Sequence, residues 1–193
     1  MIINESGLVK ALKRAYKREG YTLINSGEQI TLYTETWYVR ADWDKFPVKA
    51  LATIVEHMGA LPTSADALNI RDKEEPQVVM PEMVGSEISG WFTAGAETCA
   101  TMVPMTFMGQ QVYQTKDDGA CYAVDALDLD MVERDVAALK EATVREEKTM
   151  LWNHEGELVM LHAARPTEVY WAKPWVKEIW AALESVDLHR QDE

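Results

Sequence analysis

Residues 21–42 read YTLINSGEQITLYTETWYVRAD. β-branched and aromatic residues crowd this stretch, and a Ser-Gly pair interrupts it. That pattern predicts three strands, 21–25, 28–34 and 37–42, with a turn at Ser26-Gly27. Upstream, Leu8, Leu12 and Ala15 or Tyr16 recur at helical spacing, which predicts a helix over 7–18 with Ser6 as its N-cap. Downstream, Pro47 suits the first turn of a helix running to about Met58, and Gly59 suits its end. The unit is therefore α-β-β-β-α.

The C-terminal third carries a similar layout. Asp130 and Glu133 are spaced as a capping box for a helix over 131–145. Strands are expected at 149–153, 157–163 and 167–172 around a turn at His154-Glu155-Gly156, and Pro174 opens a last helix to about Val186. Asn25-Ser26-Gly27-Glu28 matches Asn153-His154-Glu155-Gly156-Glu157, and Pro47-Val48-Lys49 matches Pro174-Trp175-Val176-Lys177. The expected fold is α+β, with antiparallel sheet and flanking helices, in one domain. Two diverged units, 6–62 and 130–187, flank an irregular central insert, 69–125. Within the insert, Asp118-Gly119 marks a hairpin between 111–115 and 120–125.

Charge is the most informative bulk property. The chain of 193 residues has a formal net charge of −13. Residues 1–70 hold 8 Lys/Arg against 8 Asp/Glu, and residues 71–193 hold 11 against 24. From Glu74 to Thr115 there is no Lys, Arg or His. That stretch cannot grip a phosphate backbone, which is held chiefly by Lys and Arg. Glu82, Glu87, Asp117, Asp118, Asp125 and Asp128 are the candidate acidic contact residues for a basic partner. In contrast, Lys10, Lys13, Arg14 and Lys17 fall on one face of the first helix, either to meet an anion or as the solvated side of an amphipathic helix. Without a basic start followed by an apolar run, or a span of about 20 apolar residues, the sequence predicts a cytoplasmic protein with no membrane segment.

Catalytic patterns are missing. Cys99 and Cys121 form no C-x-x-C pair, and Ser86 and Ser89 sit in no G-x-S-x-G. No glycine-rich phosphate loop exists. Asp117, Asp118, Asp125, Asp128 and Asp130 do not follow a calcium-loop register; a turn accounts for Asp117 and Asp118, a helix cap for Asp130, and solvated acidic surface for the others, so no metal or cofactor is expected. His154, His162 and Glu157 are the nearest approach to an acid–base set. Trp171, Trp175 and Trp180 mark a broad apolar face at the last helix, either core or the anchor of a homodimer or partner interface. The methionines Met102, Met105 and Met108 pose the same choice between core and adaptable docking surface.

These features favour a non-enzymatic interaction protein whose acidic surface engages a basic protein partner. In charge and size the chain resembles inhibitors that imitate DNA, such as anti-restriction and anti-CRISPR proteins; the resemblance implies a partner whose nucleic-acid-binding surface is occupied. Two alternatives stand beside it. The layout of 6–62 resembles a repeat unit of DNA sliding clamps, which implies Lys10, Lys13, Arg14 and Lys17 facing DNA. The other is an enzyme or small-ligand binder with a pocket between the two units, using His154, His162 and Glu157.

Overall fold

In the computed structural model, residues 1–60, 63, 67–92, 97–145, 149–166 and 173–189 are described, with the side chains of residues 81, 82, 86 and 90 outside that description. The three expected strands form: β1 (Tyr21–Asn25), β2 (Gln29–Tyr33) and β3 (Trp37–Asp42). Their alternation sorts side chains onto two faces. Leu23, Leu32, Val39 and Ala41 are wholly buried on one face with the apolar stripes of α1 (Glu5–Tyr16) and α2 (Val48–Met58). Thr22, Tyr33 and Tyr38 share the other face by register. Gly59 closes α2 at a φ of 80°, as its position suggested. The cap of α1 is Asn4 rather than Ser6: Asn4 Oδ1 accepts from the Gly7 N–H at 2.9 Å and from the Ser6 hydroxyl at 2.8 Å. The chain is held extended as far as residue 4 by the Ile3–Val132 bridge and by the Asn4 N–H donating to the Met131 carbonyl, so the helix begins there.

β1, β2 and β3 with α1 and α2 form a lobe, whose sheet is extended by β4 (Ala67–Ile70) and β5 (Gln77–Val78). The central insert is more regular than its sequence suggested. It holds α3 (Pro81–Trp91), β6 (Glu97–Phe107), β7 (Gln110–Thr115) and β8 (Cys121–Asp125), and the short α4 (Ala126–Leu129) follows it directly. Met102 and Met105 lie on β6, where the register shifts between Met102 and Thr106. Pro104, which has no N–H to donate to a ladder, sits within that shift. The helix expected over 131–145 is only α5 (Arg134–Leu139), followed by β9 (Ala142–Arg145). Alternation of Ala142, Thr143, Val144 and Arg145 fits a strand, and β9 pairs with β6 on one side and β10 (Thr149–His154) on the other. β11 (Glu157–Ala164) and α6 (Pro174–Glu184) follow. The strand expected over 167–172 lies outside the described residues.

Among the described residues, eleven strands join one sheet, in the order β10-β9-β6-β7-β8-β11-β3-β2-β1-β4-β5, and β10 also pairs with β11. That last pairing closes β10-β9-β6-β7-β8-β11 into a six-stranded barrel. The β3-to-β5 lobe branches from β11. Residues Glu157 to Leu161 pair with β3, whereas Ala163 and Ala164 pair with β8. One core runs through both parts, from Leu8 and Leu12 through Trp37 and Leu161 to Tyr113 and Trp152. Tyr113 crosses to α5, where its hydroxyl donates to the Ala137 carbonyl at 3.0 Å. Within the described residues no helix is long and apolar enough to cross a membrane.

Candidate functional site: an acidic groove between the lobe and the barrel

A groove of about 540 Å³ opens where the lobe, α3 and the β10–β11 hairpin meet. Its chemistry follows from local structure. Tyr33 ends β2 on the sheet face away from α1 and α2, and it is buried against Tyr38, Trp91, Leu158 and Met160. Glu87 and Trp91 lie four residues apart on α3, which puts them on one side of that helix. The Tyr33 hydroxyl donates to Glu87 Oε2 at 2.8 Å. Burial, and then the neighbouring Glu87 carboxylate, push the Tyr33 phenol far above its ordinary value, so it stays a donor. Glu19, after the end of α1, and Glu35, in the β2–β3 turn, add two exposed carboxylates, and His162 and Thr149 line the hairpin side. The described lining contains no Lys or Arg.

Of the acidic residues expected from sequence, Glu87 lies in this groove. Asp117 accepts from the Thr98 hydroxyl at 3.2 Å. Asp118 accepts from the Thr115 hydroxyl and from the Ala120 N–H at 3.0 Å, bonds that hold its carboxyl below the usual aspartate range. Asp125 caps α4 by accepting from the Leu127 N–H at 2.7 Å. Glu82 lies among the side chains outside the description. Asp128 is not a surface contact: it is 8% exposed and paired with Arg14. Asp130 faces Lys10 at 3.5 Å.

Those two pairs also change the picture of α1. Lys10 and Arg14 are engaged by Asp130 and Asp128 within the chain, leaving Lys13 and Lys17 exposed on that face without a described ion pair. Of the four cations named for the clamp-like alternative, Arg14 is thus the one held in a part-buried pair, while the Lys10 side chain stays largely exposed beside Asp130. Trp180, expected as an interface aromatic, is wholly buried in the core, whereas Trp175 is 47% exposed; Trp171 lies outside the described residues. The acid–base set does not assemble either. His162 is opposite Thr149 and lines the groove, but His154 is at the far end of the hairpin opposite Glu157. Glu157 is 3% exposed and accepts from the Ile2 N–H at 2.9 Å.

Sequence reasoning missed Glu19, Glu35, Tyr33 and Trp91. Strand alternation alone could have placed Tyr33 opposite the helix-covered face, but the two glutamates sit in turns that carry no periodic signal. Comparison with protein-family models, curated proteins and solved structures finds no match. The groove must be interpreted from its own chemistry.

The Asp128–Arg14 pair carries a signed prediction. Burial pushes the Asp128 carboxyl above the ordinary aspartate range, and Arg14 draws it only partly back. The folded state thus holds this proton more tightly than the unfolded chain, and this group makes stability fall as pH rises from the unfolded to the folded pKa. Asp128→Asn cannot ionise, so the variant should gain on the wild type through that rise. Denaturant titrations of both proteins between pH 3 and 7 measure the difference; a variant that loses ground as pH rises would contradict the assignment.

Proposed function

We propose that this chain is a non-catalytic interaction protein that holds a basic segment of a partner protein in the acidic groove. The observation that carries this is the convergence of Glu19, Glu35 and Glu87 on one concave site whose described lining holds no Lys or Arg. Carboxylates gathered around one concave site focus their field there and attract a guanidinium or ammonium more strongly than one isolated on an open surface. The net charge of −13 would add long-range steering toward a basic partner. Nucleic-acid-binding proteins are rich in such segments, and filling their binding surface would make this chain an inhibitor. A long DNA-like row of free carboxylates is less well supported, because Asp128, Asp130, Glu141, Glu97 and Glu184 are spent on Arg14, Lys10, Lys116, Arg145 and Arg165.

The test compares two triple variants of equal charge. Glu19→Gln/Glu35→Gln/Glu87→Gln neutralises the groove, and Glu28→Gln/Glu75→Gln/Glu178→Gln neutralises exposed positions elsewhere. Binding of a fluorescent octa-arginine peptide should weaken at least about tenfold in the groove variant, since each charge-assisted contact is worth more than a screened surface charge. The control should lose only about twofold, through the diminished field. Equal losses would mean that net charge alone attracts the peptide, and the groove assignment would fall.

A further inference from the structure

The helix that brings Glu87 and Trp91 to the groove continues beyond the groove lining. On α3, Glu87 and Trp91 share a stripe that runs back through Met83 to Met80 at the helix cap, with intervals of three and four residues. Met80 is 59% exposed and Met83 is 55% exposed. At a rise of about 1.5 Å per residue, the stripe from Met80 to Trp91 is roughly 16 Å long, the length of a three-turn helix. The other end is occupied by the chain's own cations: Arg40 and Arg145 stand over the Phe92 ring at 5.9 and 6.0 Å, and the ring is 36% exposed. Val78, although exposed, does not belong to this stripe, because it pairs with Leu68 and so projects from the opposite sheet face. Free apolar surface thus adjoins the carboxylates at the methionine end.

We infer that the partner segment held here is a basic amphipathic helix, lying along α3 with its cations toward Glu87, Glu35 and Glu19 and its apolar side against Met80 and Met83. This rests on the groove function proposed above and adds the partner's secondary structure and apolar face. Charge complementarity selects the occupant: all of α3 lies inside the 42-residue stretch, 74–115, that holds no Lys, Arg or His. A merely apolar segment would leave three carboxylates unmatched, and a merely basic one would leave two methionines in water. Methionine suits such a surface because its unbranched thioether adapts to differing apolar partners.

Two 14-residue peptides of identical leucine and lysine composition separate the possibilities. One places its leucines at i, i+3, i+4, i+7 and onward, and the other scatters them around the helix. Fluorescence anisotropy with the full chain should show the amphipathic peptide binding at least about tenfold tighter. Met80→Ser/Met83→Ser should remove that advantage and leave the scattered peptide unchanged; serine is well tolerated at the cap of α3, and circular dichroism checks the fold. Equal binding of the two peptides, or an unaltered advantage in the serine variant, overturns the amphipathic-helix inference while leaving the groove intact. Failure of the groove itself reads differently: the Glu19→Gln/Glu35→Gln/Glu87→Gln variant would bind both peptides as the wild type does.

Discussion

Gly7→Ala is expected to destabilise the protein by at least about 3 kcal/mol, although helix propensity alone predicts a gain of up to about 1 kcal/mol for the same change. Gly7 is buried in the first turn of α1, where that helix crosses the chain just after α4. A Cβ built on Gly7 would lie 1.7 Å from the Asp130 carbonyl oxygen and 2.3 Å from its carbon. Both are backbone atoms, so no rotamer change relieves the overlap. Relief requires α1 to move away from the 130–133 segment. That movement strains the Ile3–Val132 bridge and the hydrogen bond from Asn4 to Met131. It also pulls Lys10 and Arg14 from Asp130 and Asp128. Ser6→Ala one residue earlier, at an exposed position, is the control and should change stability by less than about 1 kcal/mol. Equilibrium denaturation of the two variants decides the matter, and a Gly7→Ala midpoint at or above the wild-type value would refute the close approach.

The same glycine shows where sequence stopped being informative. At the N-terminus it is visible as a helix-start residue, but nothing local indicates that a distant carbonyl lies against it. The legible parts of the fold are those specified within a few residues: the three strands of 21–42, the Asp-Gly hairpin, the glycine that ends α2 and the proline that opens α6. Barrel closure is a different kind of fact. It depends on β11 changing partner from β3 to β8 around His162, and both pairings are more than thirty residues distant in sequence. β9 was obscured because the capping-box spacing of Asp130 and Glu133 points to a helix there, and a four-residue strand is too short to announce a period of its own. Asp128 looked solvated because its neighbours Asp125 and Asp130 are acidic; its burial is imposed by α1, over a hundred residues away. The groove escaped for the related reason that Glu19 and Glu35 come from turns and Glu87 from a helix in another part of the chain. Of the three glutamates only Glu87 could be nominated beforehand, through the absence of basic residues around it; His162, named for acid–base chemistry, lines the groove as well.

Trp180→Ala should cost about 3–5 kcal/mol, the range for removing a large aromatic from a close-packed interior. Trp180 is wholly buried where α6 meets the barrel wall, among Val103, Val112, Cys121 and Ala123, with Phe107 edge-on at 5.6 Å between ring centroids. Its indole N–H donates to the Cys121 carbonyl at 2.9 Å. Truncation therefore removes packing and also takes a donor from a carbonyl at a buried strand position. Trp180→Phe separates the two effects. It keeps most of the ring contact and loses the donor, so it should cost about 1–3 kcal/mol, clearly less than alanine. α6 is further tied to the barrel at Glu184, which accepts from the Cys121 N–H at 3.1 Å and pairs with Arg165 at 2.9 Å. Those bonds should keep the Trp180→Phe helix docked, so that its loss is confined to the missing hydrogen bond and ring volume. Urea denaturation followed by far-ultraviolet circular dichroism gives both values without relying on the altered tryptophan signal. If alanine and phenylalanine proved equally costly, the hydrogen bond to Cys121 would account for the whole effect; if alanine cost less than 1 kcal/mol, α6 would not be part of the barrel's cooperative unit.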